Sequence, residues 1–240
     1  MTTLFISDLH LHPSRPHIIH GFLDYLQSIQ GQVESLYILG DLFEAWVGDD
    51  HPEPAFLPVK KALKVCQDRG TLIFLMHGNR DFLIGETFAA ETGCRLLQDP
   101  ARIDLYQIPT LLMHGDSLCT DDIEYQQLRL RLRDPAWQRQ ALALPAEERL
   151  QLAHEARDLS ELSLRDKDET IMDVNQGEVL RRLLDSGAER LIHGHTHRPG
   201  RHIIEHDGKT LERITLGDWH QQGSVLEVDI ECCELHSLCF

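Results

Sequence analysis

A chain of 240 residues, 42% of them hydrophobic, can build a sizeable core in one large or two small domains. Its formal charge of −16 would repel DNA, RNA and anionic lipid wherever no basic patch overcomes it, which argues against a nucleic-acid-binding protein. No apolar run approaches the roughly 20 residues of a membrane span, and the first residues, Met1-Thr2-Thr3-Leu4-Phe5-Ile6-Ser7-Asp8, lack the basic stretch of a signal peptide. Cys66, Cys94, Cys119, Cys232, Cys233 and Cys239 show no CxxC spacing, so free thiols and a cytoplasmic location are expected.

In chain order, Leu4-Phe5-Ile6 opens a series of short apolar runs that predict buried strands, and it leads into Ser7-Asp8-Leu9-His10. Ile18, Ile19, Phe22, Leu23, Leu26 and Ile29 stand at helical spacing. Leu36-Tyr37-Ile38-Leu39 predicts a second strand and ends in Gly40-Asp41, and a helix over Val59 to Val65 follows. Leu72-Ile73-Phe74-Leu75-Met76 then runs into His77-Gly78-Asn79-Arg80-Asp81, and Leu111-Leu112-Met113 into His114-Gly115-Asp116. From about Asp121 to Asp173 no strand-like run occurs, and Pro135 and Pro145 act as breakers, which predicts a helical insertion. Within it Leu128-Arg129-Leu130-Arg131-Leu132-Arg133 alternates like a strand, but its neighbours are good helix formers and decide for a helix. A helix over Val179 to Leu184 precedes Leu191-Ile192, which ends in His193-Gly194-His195-Thr196-His197. Ile214-Thr215-Leu216 and Val225-Leu226-Glu227-Val228 complete the strands. The alternation predicts an α/β fold, as one domain over 1–240 with the insertion at about 121–173.

Five of these runs therefore end in metal-ligand residue types, four of them with a glycine alongside. Each motif alone is common, since Gly-Asp usually marks a turn, but the five together form a constellation. Ligands in α/β folds collect beyond the carboxyl ends of strands, where residues distant in the chain can meet. If side chains alternate along an extended backbone, Asp8 and His10 project to one side, and so do His195 and His197. Asp8, His10, Asp41, Asn79, His114, His195 and His197 are too many for one tetrahedral zinc and suit two cations sharing a carboxylate, with Asp41 the natural bridge. Oxygen and imidazole donors without thiolate favour manganese, iron or zinc. His12, His17, His20, His51 and His154 are assigned to the surface or to helix faces.

With its D-x-H, G-D, G-N-R-D, H-G-D and G-H-x-H motifs, the chain resembles the calcineurin-like metallophosphoesterases over nearly its whole length. Gly40 to Asp50, Gly78 to Leu83, His114 to Asp122 and Gly217-Asp218-Trp219 resemble, more closely, the UDP-2,3-diacylglucosamine hydrolase family of lipid A biosynthesis. That resemblance implies a four-layer αββα sandwich with a helical lid, two manganese ions, and cleavage of a sugar-linked pyrophosphate. It implies that Asp8, His10, Asp41 and His197 hold one cation and that Asp41, Asn79, His114 and His195 hold the other. Arg80 would neutralise phosphate and His195 would assist beside its metal role, while Asp122, Arg157, Ser160 and Lys167 would join Asn79, Arg80 and His195 in touching substrate. Another dinuclear-metal phosphodiesterase or nucleotide phosphatase is the alternative.

An acylated substrate needs an apolar groove, for which Leu128, Leu130, Leu132, Trp137, Leu142 and Leu144 are candidates, and some of these would instead pack helix against helix. Arg129, Arg131, Arg133 and Arg139 make a locally basic stretch that suits either anionic lipid or a solvated helix face. With the resemblance, this predicts peripheral association with the cytoplasmic face of the inner membrane, with no nucleic acid and no obligate protein partner.

Overall fold

The computed structural model describes residues 2–51, 53–165 and 173–239, with side chains throughout except over 158–165. Two sheets face each other. In the first, β1 (Thr3–Ile6), β2 (Ser35–Leu39), β3 (Leu72–Met76) and β4 (Arg95–Leu97) run parallel, and β10 (Gly223–Val228) and β11 (Cys233–Leu238) continue antiparallel beside β1, in the order β11-β10-β1-β2-β3-β4. The second holds β5 (Ala101–Leu105), β6 (Ile108–Met113), β7 (Arg190–His193), β8 (Gly200–His206) and β9 (Lys209–Thr215) in the order β5-β6-β7-β9-β8, with β6, β7 and β9 parallel.

Side-chain alternation along these strands makes the layers. Leu4 and Ile6 face outward onto Ile18, Phe22 and Leu26 of α1 (Pro16–Ile29), beside Val59 and Leu63 of α2 (Leu57–Asp68) and Phe88 of α3 (Glu86–Thr92). Phe5, between Leu4 and Ile6, points the other way and joins Leu39, Met76, Leu112, Ile192 and Ile214 between the sheets. Leu111, Met113 and Leu191 face Val179 and Leu183 of α7 (Gln176–Ser186) on the far side. The result is the αββα sandwich.

Every strand expected from an apolar run is present, but β4, β5, β8 and β11 were not expected. These four are the edges of the two sheets. An edge strand has one flank in solvent and carries polar residues accordingly, as Gly200-Arg201-His202-Ile203 does in β8, so hydrophobicity does not announce it. The short helix α3 was also not expected.

The stretch after β6 folds into α4 (Ile123–Leu132), α5 (Pro135–Leu142) and α6 (Ala146–Arg165). Asp122 caps α4 by accepting from Tyr125 N, and Asp134 caps α5 by accepting from Trp137 N. Pro135 and Pro145 open the helices that follow them, a place where the missing N–H costs nothing. No described helix is long and apolar enough to cross a membrane.

Candidate metal centre and its cleft

The loops after β1, β2, β3, β6 and β7 meet at one end of the sandwich and bring all seven candidate ligands together. Asp8 Oδ2 accepts from His195 N at 2.9 Å and from the Ser7 hydroxyl, which leaves Oδ1 buried without a hydrogen bond and 3.4 Å from His197 Nε2. Asp41 Oδ1 accepts from Arg80 N at 2.8 Å, while Oδ2 lies 3.7 Å from His10 Nε2 and 3.8 Å from His114 Nε2. His10 Nε2 and His197 Nε2 are 3.3 Å apart. Asn79 Oδ1 is 2.9 Å from His114 Nε2 and 3.1 Å from His195 Nδ1. Asp41 Oδ2 thus stands between an Asp8, His10, His197 group and an Asn79, His114, His195 group.

Strand alternation, expected from the sequence to aim the Asp8–His10 and His195–His197 pairs, does not aim them. β1 ends at Ile6 and β7 at His193, and Asp8, His10, Asp41, His195 and His197 all have left-handed backbones, with φ of 56°, 48°, 53°, 68° and 54°. Asp and His tolerate this region better than most residues, and such strain persists where the surroundings over-determine it. Here backbone bonds cross-link the loops: Asp8 N donates to Gly40 O at 3.1 Å and His10 N to Asp41 O at 2.9 Å.

Two glycines beside ligands are explained by close approach. A Cβ on Gly78 would lie 2.0 Å from Asp41 Oδ1, and one on Gly194 would lie 2.3 Å from Asp8 Oδ2. Asp81, fully buried, accepts from Leu42 N and Gly78 N, both at 2.8 Å, and so ties the loop carrying Asp41 to the loop carrying Asn79. The sequence shows Asp81 only as the last letter of a motif; nothing in its type or spacing separates this role from a turn residue.

The donor set fits divalent cations. His114 Nδ1 donates to Leu39 O at 2.9 Å, so Nε2 is the nitrogen turned to Asn79 Oδ1 and Asp41 Oδ2; against burial, the nearby carboxylates raise the ring to about 9, so Nε2 holds a proton there that a cation would displace. Burial pushes the Asp41 carboxyl up to about 7 and the His195 imidazole down to about 3. A buried carboxylate then needs a cation beside it to stay ionised, while His195 keeps a free lone pair for one. Asp8, His10 and His197, and again Asp8, Asp41 and His114, bring one ligand atom each within 4.8 Å of one another.

Beside this centre opens a cleft of about 400 Å³ between sandwich and insertion. Asn79, Arg80 and Arg157 lie on its wall, with Phe82, Leu128, Leu132, Trp137 and Leu152. Leu128, Leu132 and Trp137 therefore line it as expected, whereas Leu130, Leu142 and Leu144 do not. His12 and His154, assigned to ordinary surface by sequence, also line it. Arg157 Nη1 is 3.4 Å from Glu44 Oε1, and Asp122 caps α4 rather than lining the cleft. Ser160 belongs to α6 with its side chain outside the described set, and Lys167 lies outside the described residues.

The basic stretch on α4 divides. Arg129 Nε donates to the buried Asp116 carboxylate at 2.8 Å, and Arg133 donates to Gly78 O at 2.9 Å, so these two face the sandwich. Arg131 and Arg139 remain exposed. Asp116 also accepts from the Tyr125 hydroxyl at 3.1 Å, and the Tyr125 ring stacks on His195 with centroids 5.9 Å apart.

Residues 1–199 match the family model for calcineurin-like phosphoesterases. The chain is 51% identical to the UDP-2,3-diacylglucosamine hydrolase of Stenotrophomonas maltophilia (strain K279a), covering 95% of each chain. It is 51% identical to the protein of that name from Xanthomonas axonopodis pv. citri (strain 306), covering 99% of each. The corresponding protein of Xanthomonas oryzae pv. oryzae (strain PXO99A) is 52% identical, with 96% of each chain covered.

Proposed function

Because the chain belongs to the calcineurin-like phosphoesterases and, within them, to the UDP-2,3-diacylglucosamine hydrolase family, we propose that it hydrolyses the pyrophosphate of UDP-2,3-diacylglucosamine to UMP and 2,3-diacylglucosamine 1-phosphate. The observation that carries this reading is that Asn79 and Arg80 share one cleft with Phe82, Leu128, Leu132, Trp137 and Leu152. A phosphate bound at the ligand cluster would have acyl chains beside it along the apolar wall.

Two manganese ions held by the seven ligands would supply hydroxide at neutral pH and positive charge against the phosphoryl oxygens. The chain's own residues do the rest. Asp41 would set the separation of the two ligand groups through one oxygen, and the Asp81 clamp ties the loop that carries Asp41 to the loop that carries Asn79. Arg80 is in no ion pair among the described residues, and its planar fork suits two parallel hydrogen bonds to a phosphate. Water gives up one proton to solvent, and the resulting hydroxide oxygen bonds to the phosphorus nearer uridine as the bond from that phosphorus to the bridging oxygen breaks. The electrons leave with the sugar phosphate, whose second ionisation near pH 6 makes it a good leaving group with little need of an acid. Arg157, Ser160 and Lys167 would hold the sugar and its phosphate, with Asp122 setting the start of α4.

The insertion meets the cytoplasmic face of the inner membrane, from which an acylated substrate enters. Leu130, 71% exposed, and Leu142, 43% exposed, offer apolar contact beside the exposed Arg131 and Arg139.

The test is turnover of UDP-2,3-diacylglucosamine by the purified protein with manganese, beside simple nucleotide phosphodiesters, in ¹⁸O-water. Labelled UMP is the expected product. Turnover of the simple esters alone would replace this reading with a general phosphodiesterase or nucleotide phosphatase.

A further inference from the structure

Residues 217 to 220 lie beyond the stretch matched by the family model, yet they reach the ligand cluster. Trp219, fully buried against Phe22 and Tyr25, donates from its backbone N to Asp8 O and from Nε1 to Ser224 O, each at 3.2 Å. Gly217 N adds a bond to Ser224 Oγ at 3.0 Å. The loop after β9 is thereby fastened to the segment that carries Asp8. Its two remaining side chains turn towards the histidines of one ligand group. Asp218 Oδ2 is 3.2 Å from His197 Nδ1, and the His220 ring stacks on His10 with centroids 5.8 Å apart and planes 8° from parallel. Arg15 closes the arrangement, with Nη1 2.8 Å from His220 Nδ1 and Nη2 donating to His10 O at 2.6 Å.

We propose that Asp218 is a positioning residue for the metal centre: its carboxylate takes the Nδ1 proton of His197 in a hydrogen bond and keeps the Nε2 lone pair aimed at the Asp8 side. This rests on the two-cation reading of the site. An imidazole presents one lone pair, and the acceptor behind its other nitrogen decides which nitrogen carries it and how the ring is turned. The two ligand groups differ in this respect. His114 is backed by a neutral backbone carbonyl, Leu39 O, whereas His197 is backed by a carboxylate, the stronger acceptor, which also makes the ring a better donor to a cation. Asp218 Oδ1 accepts from His220 N at 3.2 Å, so the carboxylate itself is held in orientation. Glu44 is the nearest counterpart behind His10, but its Oε2 stands 3.5 Å from Nδ1 and bonds Arg15 at 2.7 Å, which leaves Asp218 the closer backing. The ligand atoms of His197, Asp218 and His220 also lie within 4.8 Å of one another, but His197 Nδ1 is occupied by its contact with Asp218, so the trio reads as support rather than as a third cation site.

Manganese binding measured without substrate, by the electron-paramagnetic-resonance signal of free Mn²⁺, tests this on the wild type, Asp218→Ala and Asp218→Asn. The wild type is expected to bind two ions. Asp218→Ala is expected to keep one site and to weaken the other about 10–100-fold, with an unchanged melting curve for the metal-free protein. Asp218→Asn, whose amide oxygen can still accept from Nδ1, should lose less. Turnover of Asp218→Ala should return towards the wild-type rate as manganese is raised. Wild-type affinity at both sites in Asp218→Ala, or loss of both sites together with a collapsed melting curve, would overturn the positioning role alone. A wild type that binds no manganese would overturn it together with the two-cation reading.

Discussion

Phe5, Leu39, Met76, Leu112 and Ile192 meet in a buried apolar layer between the two sheets, whereas α4 buries none of its side chains and α5 only Ala141. The insertion is fastened to the sandwich by polar contacts instead: Arg129 to Asp116, Arg133 to Gly78 O, Tyr125 to Asp116, and Arg149 to Val47 O and Asp50. Dense apolar packing gives a frame with one arrangement, which suits loops that bring seven candidate ligands together. Discrete polar anchors hold the helices while leaving Leu128, Leu132 and Trp137 to face the cleft. Segments with few buried apolar contacts open locally at lower free energy, which suits the entry of a bulky substrate.

The sharpest separation is between removing a ligand and removing packing. Asp41→Ala deletes the oxygen shared by both ligand groups, and turnover should fall at least about 10³-fold, or roughly 4 kcal/mol of transition-state stabilisation. UMP release measures this, and circular dichroism should show the fold retained; activity near wild type would remove the bridging role. Leu112→Ala opens a cavity between the sheets and should lower the unfolding free energy by about 2–5 kcal/mol in urea titrations. A loss under about 1 kcal/mol would mean that the layer is not the rigid frame described.

In the insertion the effects should be local. Arg129→Ala removes the closest cation from the buried Asp116 carboxylate, which keeps its Tyr125 hydrogen bond and Arg133 at 4.0 Å, at a cost of up to about 3 kcal/mol. Hydrogen exchange should quicken across α4 and KM should rise, while amides of β2 and β6 keep their protection. Equal loss of protection in β6 would show that the two regions unfold together. Leu128→Ala, at a side chain 43% exposed, should change stability by no more than about 0.5 kcal/mol. Its KM for a long-chain substrate should rise against that for a short-chain one, and equal KM changes for both would take Leu128 out of the acyl wall.

Much of this was legible in the sequence, and the limits have physical causes. The seven strands read from apolar runs are the inner ones, buried on both flanks. β4, β5, β8 and β11 escaped because an edge strand mixes polar with apolar residues and resembles a loop. The seven candidate positions that the structure brings together were visible because residue types that bind cations recurred after strands, several of them beside glycine. How they meet was not visible, since left-handed backbones at Asp8, His10, Asp41, His195 and His197 follow from hydrogen bonds between loops. Arg129 and Arg133 read as surface charge because their partners, Asp116 and Gly78, lie 13 and 55 positions away in the chain.

Short segments by themselves determined where the inner strands and most helices run and which donor chemistry stands at the strand ends. Both are local properties, set by the period of apolar residues and by the side chain's own atoms. Only the tertiary structure decided that Asp41 Oδ2 sits between His10 and His114, that Asp81 ties two loops, and that Asp218 stands behind His197. Those relations depend on separations of a few ångströms between segments far apart in the chain, and such distances exist only once the two sheets have packed.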